Sequence, residues 1–304
     1  MLIIFVFKQK FWYNFVMNKY SFIVPEKLNN IKAKDFLSLS GISSEIIQKV
    51  KFGGVIVNNK TLTNINDRLF KNDIVKIVLP LDTINPYIKK IKGDLEILYE
   101  DEYFLAVFKE KGVLTHSSKN NKLSSLEELV LGYLDCPYSF RPINRLDRDT
   151  SGIVLIAKDT LTASFLNKQM KDGLIKKSYY AIVNGCPKEN HFFIEKPIKR
   201  LSPQGMKRGI SEDGQYAKTE CKVIKTFKDK TLLEVFLHTG RTHQIRLHLS
   251  SIGYPLYADE LYGEKIEKEK YFLCAKKLCF LHPFLNKQIE ISIEDKILKT
   301  LNFI

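Results

Sequence analysis

The chain has 304 residues, 44% of them apolar, enough for one large domain or a large and a small one, and too apolar for a disordered tail. Lys and Arg number 48 against 34 Asp and Glu, a formal charge of +14, which disfavours a basic partner and favours a polyanion. With 14 Tyr and 20 Phe among those cations, nucleic acid fits better than an anionic membrane, because rings stack on bases.

The apolar opening, residues 1–7, is far short of the ~20 residues that span a bilayer and lacks the order of a secretory signal. Residues 1–30 read as an N-terminal extension in which Met17 is a second candidate start, leaving 1–16 as an upstream stretch. Five cysteines, an odd number without a Cys-x-x-Cys pair, indicate a reducing compartment and hence a cytoplasmic protein. Cys274, Cys279 and His282 lack a fourth partner, so no metal and no cofactor is expected.

Residues 31–82 form a small unit. Ser43 caps a short helix carrying Ile46, Ile47 and Val50, and Gly53-Gly54 stops it. Val55-Ile-Val57, Asn58-Asn59 and Lys60-Thr-Leu62 then read as a hairpin, because Asn tolerates the positive φ of a two-residue turn. A strand over 73–79 closes the unit, and 83–94, with Pro86 and its lysines, is a linker.

From residue 95 a larger unit begins. Strands over 95–99 and 103–109 pair around Glu100-Asp-Glu102. The loop Arg141-Pro-Ile-Asn-Arg-Leu-Asp-Arg-Asp-Thr-Ser-Gly152 crowds two arginines and two carboxylates into residues 145–149 before a core strand, Ile153-Val-Leu-Ile-Ala157. A helix over 160–171, capped by Asp159 and ended by Gly173, buries Leu161, Phe165, Leu166 and Met170. In the strand that follows, alternation puts Lys177, Tyr179 and Ala181 on one face and Tyr180 on the other. Residues 195–219 form a long hairpin region whose Lys199, Arg200, Lys207 and Arg208 suit phosphates. A strand over 232–238 turns at Thr239-Gly240 into a helix with Ile245, Leu249 and Ile252 inward.

Three of these stretches, in order, resemble RluA-type pseudouridine synthases. Arg145-Leu-Asp-Arg-Asp-Thr-Ser-Gly152 is similar to His-Arg-Leu-Asp-x-x-Thr-Ser-Gly, with Asn144 where His is commonest. Lys177-Ser-Tyr-Tyr-Ala-Ile-Val-Asn-Gly185 matches Lys-x-Tyr-x-Ala-x-Val-x-Gly. Thr239-Gly-Arg-Thr-His-Gln-Ile-Arg-Leu-His248 matches Thr-Gly-Arg-x-His-Gln-Ile-Arg-x-His and is continued by Asp259-Glu-Leu-Tyr-Gly263. Lys109 matches the family's Asn-Lys-Pro, while Phe108 and Glu110 depart from it. The likeness covers residues 95–284, and the small unit resembles an S4-like RNA-binding domain with Asn59 and Asn72 in place of two glycines.

The resemblance implies an α+β chain: a large, mixed, mainly antiparallel catalytic domain over 95–304, the pseudouridine synthase fold, behind a small N-terminal S4-like α/β domain. Uridine isomerisation needs an ionised carboxylate at the sugar or base, a cation to keep it ionised and a ring under the freed base. Asp147, Arg241 and Tyr179 supply that set, with Arg241 expected to pair with Asp147. Arg145 would fill the place of the flipped base, and Arg148, Lys177, His243, Gln244 and Arg246 would hold RNA. Asp149 reads as a structural partner for a nearby arginine or backbone amide, not as a second catalytic acid. The expected substrate is RNA, large-subunit ribosomal RNA ahead of transfer RNA, with no nucleotide cofactor and a monomeric enzyme. The rivals are an RNA-binding protein with a remnant site and a base-excising glycosidase, which would release free base.

Overall fold

A computed structural model describes residues 19–80, 87–117, 124–135, 139–203, 205–285 and 287–301, so the reading of 1–16 and Met17 lies outside the described residues. The small unit contains β1 (Lys19–Ile23), β2 (Ile31–Lys32), α1 (Ala33–Leu39), α2 (Ser44–Val50), β3 (Val55–Val57), β4 (Lys60–Thr61), β5 (Arg68–Leu69) and β6 (Ile74–Val78). Ser43 Oγ accepts from Ile46 N at the start of α2, as its cap position dictates. Asn58 and Asn59 take φ of 47° and 67°, and Asn72 takes 67°, so asparagine supplies the left-handed turns.

The unit does not begin at residue 31. β1 lies in the stretch read as an extension, yet it pairs antiparallel with β6 in a four-stranded sheet of order β1-β6-β3-β4. Its Tyr20 and Phe22 are buried, so alternation of apolar residues continues upstream of the expected boundary.

The large unit contains β7 (Ile97–Glu100), β8 (Phe104–Lys109), α3 (Leu126–Leu134), β9 (Ser151–Ala157), α4 (Thr160–Lys171), β10 (Lys176–Asn184), β11 (His191–Glu195), β12 (Ile198–Arg200), β13 (Arg208–Ile210), β14 (Lys218–Thr226), β15 (Lys230–Leu237), α5 (Gln244–Ser250), β16 (Leu273–Leu281), β17 (Gln288–Ser292) and α6 (Glu294–Leu301). Its main sheet runs β11-β14-β15-β10-β16-β9-β8-β7, with β17 alongside β16. All pairings are antiparallel except β9 with β16, where Gly152 faces Ala275. Gly152 has φ of +116°, and a Cβ there would lie 2.3 Å from Ala275 O, so no other residue fits the end of the Thr-Ser-Gly turn.

The sheet separates two cores. Tyr179, Ala181 and Val183 pack with Leu146, Ile245 and Leu249 on one face. Tyr180 and Ile182 pack with Leu166, Ile175 and Ile297 on the other, which is the division that alternation along β10 requires.

The two units are joined by a shared core. Leu161 of α4 and Phe284 are buried with Tyr20, Phe36 and Ile46. Tyr20 stacks on Phe284 at 4.7 Å, and its hydroxyl donates to Asp159 Oδ2 at 2.5 Å. Asp159 Oδ1 meanwhile caps α4 through Leu161 N and Thr162 N, so one buried carboxylate starts the helix and docks β1. The linker is also packed: Ile91 N donates to Glu128 O, and a Cβ on Gly132 of α3 would lie 2.1 Å from Ile91 O.

Candidate active site

The loop between residues 141 and 150 is fixed along its length by backbone bonds. Ile143 N donates to Leu155 O, and Ala157 N to Arg141 O, extending β9 outward. Asn144 donates to Ile153 O and accepts from Leu155 N, both at 2.9 Å, so its amide serves the strand as donor and acceptor together. Thr115 Oγ1 bridges Leu146 O and Leu146 N from the other side. Lys109 is 0% exposed, and its ammonium donates to Glu110 O, Val113 O and Arg148 O. Burial pulls Lys109 down to about 8, against the upward pull of Asp149 and Asp147. Asp147 is thus presented between two anchored neighbours, Leu146 and Arg148, with its side chain 30% exposed.

The cation beside Asp147 is Arg246. Its Nη1 lies 3.4 Å from Asp147 Oδ2, while Nε and Nη2 each donate to Asp259 at 2.7 Å. Arg246 is 7% exposed and Asp259 0%, and the guanidinium lies over Tyr271 at 4.5 Å and Tyr262 at 5.2 Å. Burial alone would lower its pKa, but the bonds to Asp259 and the charge of Asp147 raise it. A buried fork between two carboxylates cannot also hold a phosphate, so the expectation that Arg246 binds RNA is corrected to a charge partner of Asp147.

Arg241 does not take that place. It is exposed, its Nε donates to Tyr216 O at 3.1 Å, and it pairs with no carboxylate among the described residues. The reason is where α5 starts. The turn at Gly240 leaves Arg241 in the loop ahead of the helix, whereas Arg246 lies within its buried length beside Ile245 and Leu249.

His243 caps α5 with a left-handed φ of 58°. Tyr262 Oη accepts from Arg208 N at 2.8 Å, leaving its own hydrogen for His243 Nδ1 at 2.9 Å. His243 Nε2, the other ring nitrogen, is turned to Asp147 at 3.7 Å. Burial lowers the pKa of His243 while Asp147 opposes that shift.

Gln244 is 2% exposed, and its amide is consumed at home: Oε1 accepts from Arg241 N and Thr239 Oγ1, and Nε2 donates to Lys218 O and Thr219 Oγ1. It shapes the turn and leaves no atom for RNA. His248, 0% exposed between Thr219 and the Lys196 carbonyl, is packing.

Tyr179 is 6% exposed on the Asp147 side of the sheet, and burial, then Asp147, raises its pKa. Lys177 Nζ rests 3.5 Å from Met170 Sδ at the Gly240 turn, and burial lowers its pKa. Arg145 is exposed. Arg148 grips Asp149 through Nη2 at 2.9 Å and Nε at 3.3 Å, the structural pairing expected for Asp149. Lys109, and Tyr262 and Asp259 within 259–263, match family motifs but are assigned no role from sequence, Tyr271 is not singled out there, and the largest omission is the role of Asp259. An acid in a turn between apolar segments, needing a buried cation, was its available signal.

A family model described as RNA pseudouridylate synthase matches residues 103–251. The chain is 32% identical over 262 residues to a Bacillus subtilis protein named uncharacterized RNA pseudouridine synthase YjbO, covering 84% of this chain and 92% of the relative. It is 33% identical over 303 residues to the ribosomal large subunit pseudouridine synthase C of Buchnera aphidicola, covering 91% and 92%. Among solved structures, human RNA pseudouridylate synthase domain containing 1 aligns with a TM-score of 0.59 at 26% identity, over 68% of this chain and 86% of that one.

Proposed function

The chain belongs to the RNA pseudouridylate synthase family, and from that premise we propose that it isomerises specific uridines of large-subunit ribosomal RNA, with Asp147 as the catalytic carboxylate acting on a flipped-out base. The carrying observation is the half-open Asp147 carboxylate held against Arg246 on the Tyr179 side of the sheet. The name of the Buchnera relative supports the choice of large-subunit RNA over transfer RNA.

In the reaction the bond from C1′ to N1 breaks, the base turns, and C1′ joins C5; N1 gains a proton and C5 loses one. No electron or phosphate is exchanged. Asp147 has three routes open to it: attack on C1′, addition to C6, or removal of a ribose proton. Each requires the anion, and Arg246 favours the anion electrostatically. Tyr179 supplies the ring beneath the base. Flipping costs a few kcal/mol, of the order of unstacking, which Arg145 offsets by filling the gap.

The small unit acts as an S4-like RNA-binding module. Its support is the order α1, α2, β3–β4 hairpin, β6, and a Lys51 ammonium 4.7 Å over the exposed Phe52 ring, a surface on which a base can stack. No helix among the described residues is long and apolar enough to cross a membrane. We take the enzyme to act as a cytoplasmic monomer. Mapping pseudouridine across total RNA from cells with and without the protein tests the assignment: a missing modification in large-subunit RNA supports it, and an unchanged map defeats it.

A further inference from the structure

Arg208 stands apart from the other cations of the hairpin made by β12 and β13. Its backbone N–H donates to Tyr262 Oη, the hydroxyl that orients His243, so the strand is tied directly to the active site. Its Nη1 is buried, yet has no hydrogen-bond partner among the described residues. No carboxylate pairs with it there either, whereas Lys199 on the facing strand is paired with Asp213. Buried donors are almost always satisfied, and one left open costs free energy that a bound acceptor recovers. The charge of Arg208 reaches the site, since it helps lower the pKa of both His243 and Tyr262.

The acceptor has to be an anion or a carbonyl that arrives with the substrate. An RNA strand entering this site brings a phosphate with every nucleotide, and a guanidinium binds such oxygens with charge-assisted bonds. Arg200, opposite Arg208 in the hairpin, spends Nε on Gly205 O, and the exposed Lys207 extends the same positive edge. We propose that Arg208 is a substrate-binding residue whose guanidinium, its Nη1 unsatisfied in the free protein, turns outward to take a non-bridging oxygen of a backbone phosphate adjoining the target uridine, pinning the β12–β13 hairpin onto the RNA beside Asp147. This rests on the RNA-modifying reading given above. The contact fixes the strand relative to the carboxylate without touching the reacting atoms.

The side chain can be removed without cutting the Tyr262 link, because that bond uses the backbone of residue 208. Arg208→Gln should therefore raise KM by about tenfold with kcat nearly unchanged, and flatten the dependence of log affinity on log salt by about one phosphate contact. It should melt no lower than the wild type, since the donor it removes is unsatisfied in the free protein; Arg208→Lys should recover part of the affinity. The decisive form uses short RNAs carrying the mapped uridine and one neutral methylphosphonate at successive flanking positions. At one position the wild type should lose about tenfold in kcat/KM, on the order of one charge-assisted contact, while Arg208→Gln loses nothing further. An unchanged KM and salt slope in Arg208→Gln, or penalties that multiply at every position, overturns the contact. Wild-type turnover on the unmodified RNA is the separate control: its absence defeats the proposed function, while its presence with an indifferent Arg208→Gln defeats only the phosphate contact.

Discussion

Two buried cations lie on opposite faces of the same sheet, each between two carboxylates and each against a ring. On the Tyr180 side, Lys276 is 2% exposed, 4.2 Å from the Tyr180 ring, and bridges Glu234 of β15 and Glu294 of α6. Both of those carboxylates are partly exposed, and together they staple the last helix to the sheet. On the Tyr179 side the division is unequal. Asp259 is sealed and takes two arms of Arg246 at 2.7 Å, plus the amides of Leu261 and Tyr262; Asp147 is open and receives one arm at 3.4 Å. The Lys276 clamp shares its cation between two acids, whereas Arg246 is tied down from behind by Asp259 and leaves Asp147, the carboxylate proposed to react, lightly held. The choice of residue follows: only a planar fork grips one acid in two directions and still reaches a second.

The largest effect should come from the open acid. Asp147→Asn keeps the shape and removes the charge, and should cut kcat by at least about a thousandfold with RNA affinity nearly intact. Tritium release from RNA labelled at uridine C5 reads this directly, and appreciable release by Asp147→Asn would end the assignment. Next in size is Arg246. Arg246→Lys should lose about a hundredfold in kcat, because the grip on Asp259 goes with the fork, while Arg241→Ala should chiefly raise KM. Were Arg241→Ala the dead variant and Arg246→Lys the healthy one, the pairing with Arg246 would be structural only. Arg246→Met should also destabilise the fold by about 3–5 kcal/mol, since it strands a sealed Asp259.

Lys276→Met should lower stability and spare kcat, which is the contrast between the two clusters in a single experiment. Its exposed acids can hydrate once freed, so the loss should be about 1–3 kcal/mol. The loss should also depend on pH. Burial disfavours charged Lys276, but Glu234 and Glu294 raise it above its ordinary 10.5, so its contribution is whole below 10.5 and fades as pH climbs through the raised value. Lys276 holds Glu294 below its ordinary 4.5, so that contribution is present above 4.5 and fades as pH falls through the lowered value. Melting curves of wild type and Lys276→Met should converge at both extremes; a gap that persists into strong acid would mean the clamp is not ionic.

The smallest effect concerns Lys109, a third buried cation, held by carbonyls alone. With its pKa near 8, it sheds a proton just above neutrality and loses one of the three donors that tie Glu110 O and Val113 O to Arg148 O, the last in the loop carrying Asp147. The wild-type kcat should therefore show a shallow alkaline limb near that pH, and Lys109→Arg, which stays charged, should not.

Most of the scaffold could be read ahead of the structure because it depends on local chemistry. Asp159 caps α4 because an acid before an apolar helix leaves amides to satisfy, and Tyr179 and Tyr180 part company because a strand alternates. The pairing of Asp147 could not be read so. Motif order puts Arg241 and Arg246 five positions apart, and only the start of α5 after His243 decides which one the fold buries. β1 was missed for a similar reason: its partner β6 is some fifty residues on, and no local pattern announces that pairing. Gln244 and His243 looked like anion ligands at a helix end, but the turn and Tyr262 had already engaged their polar atoms.

The shared core has a consequence for how the protein is made. Tyr20 is closed over by Phe284 and bonded to Asp159, both far on in sequence, so the small unit lacks part of its interior until they are made. It can gather its own sheet and helices early, but the ring that seals them is translated only after β16. Completion of the small unit's core therefore waits for Phe284, and synthesis through residue 284, not emergence of residues 19–80, sets when the small unit becomes rigid on the large one.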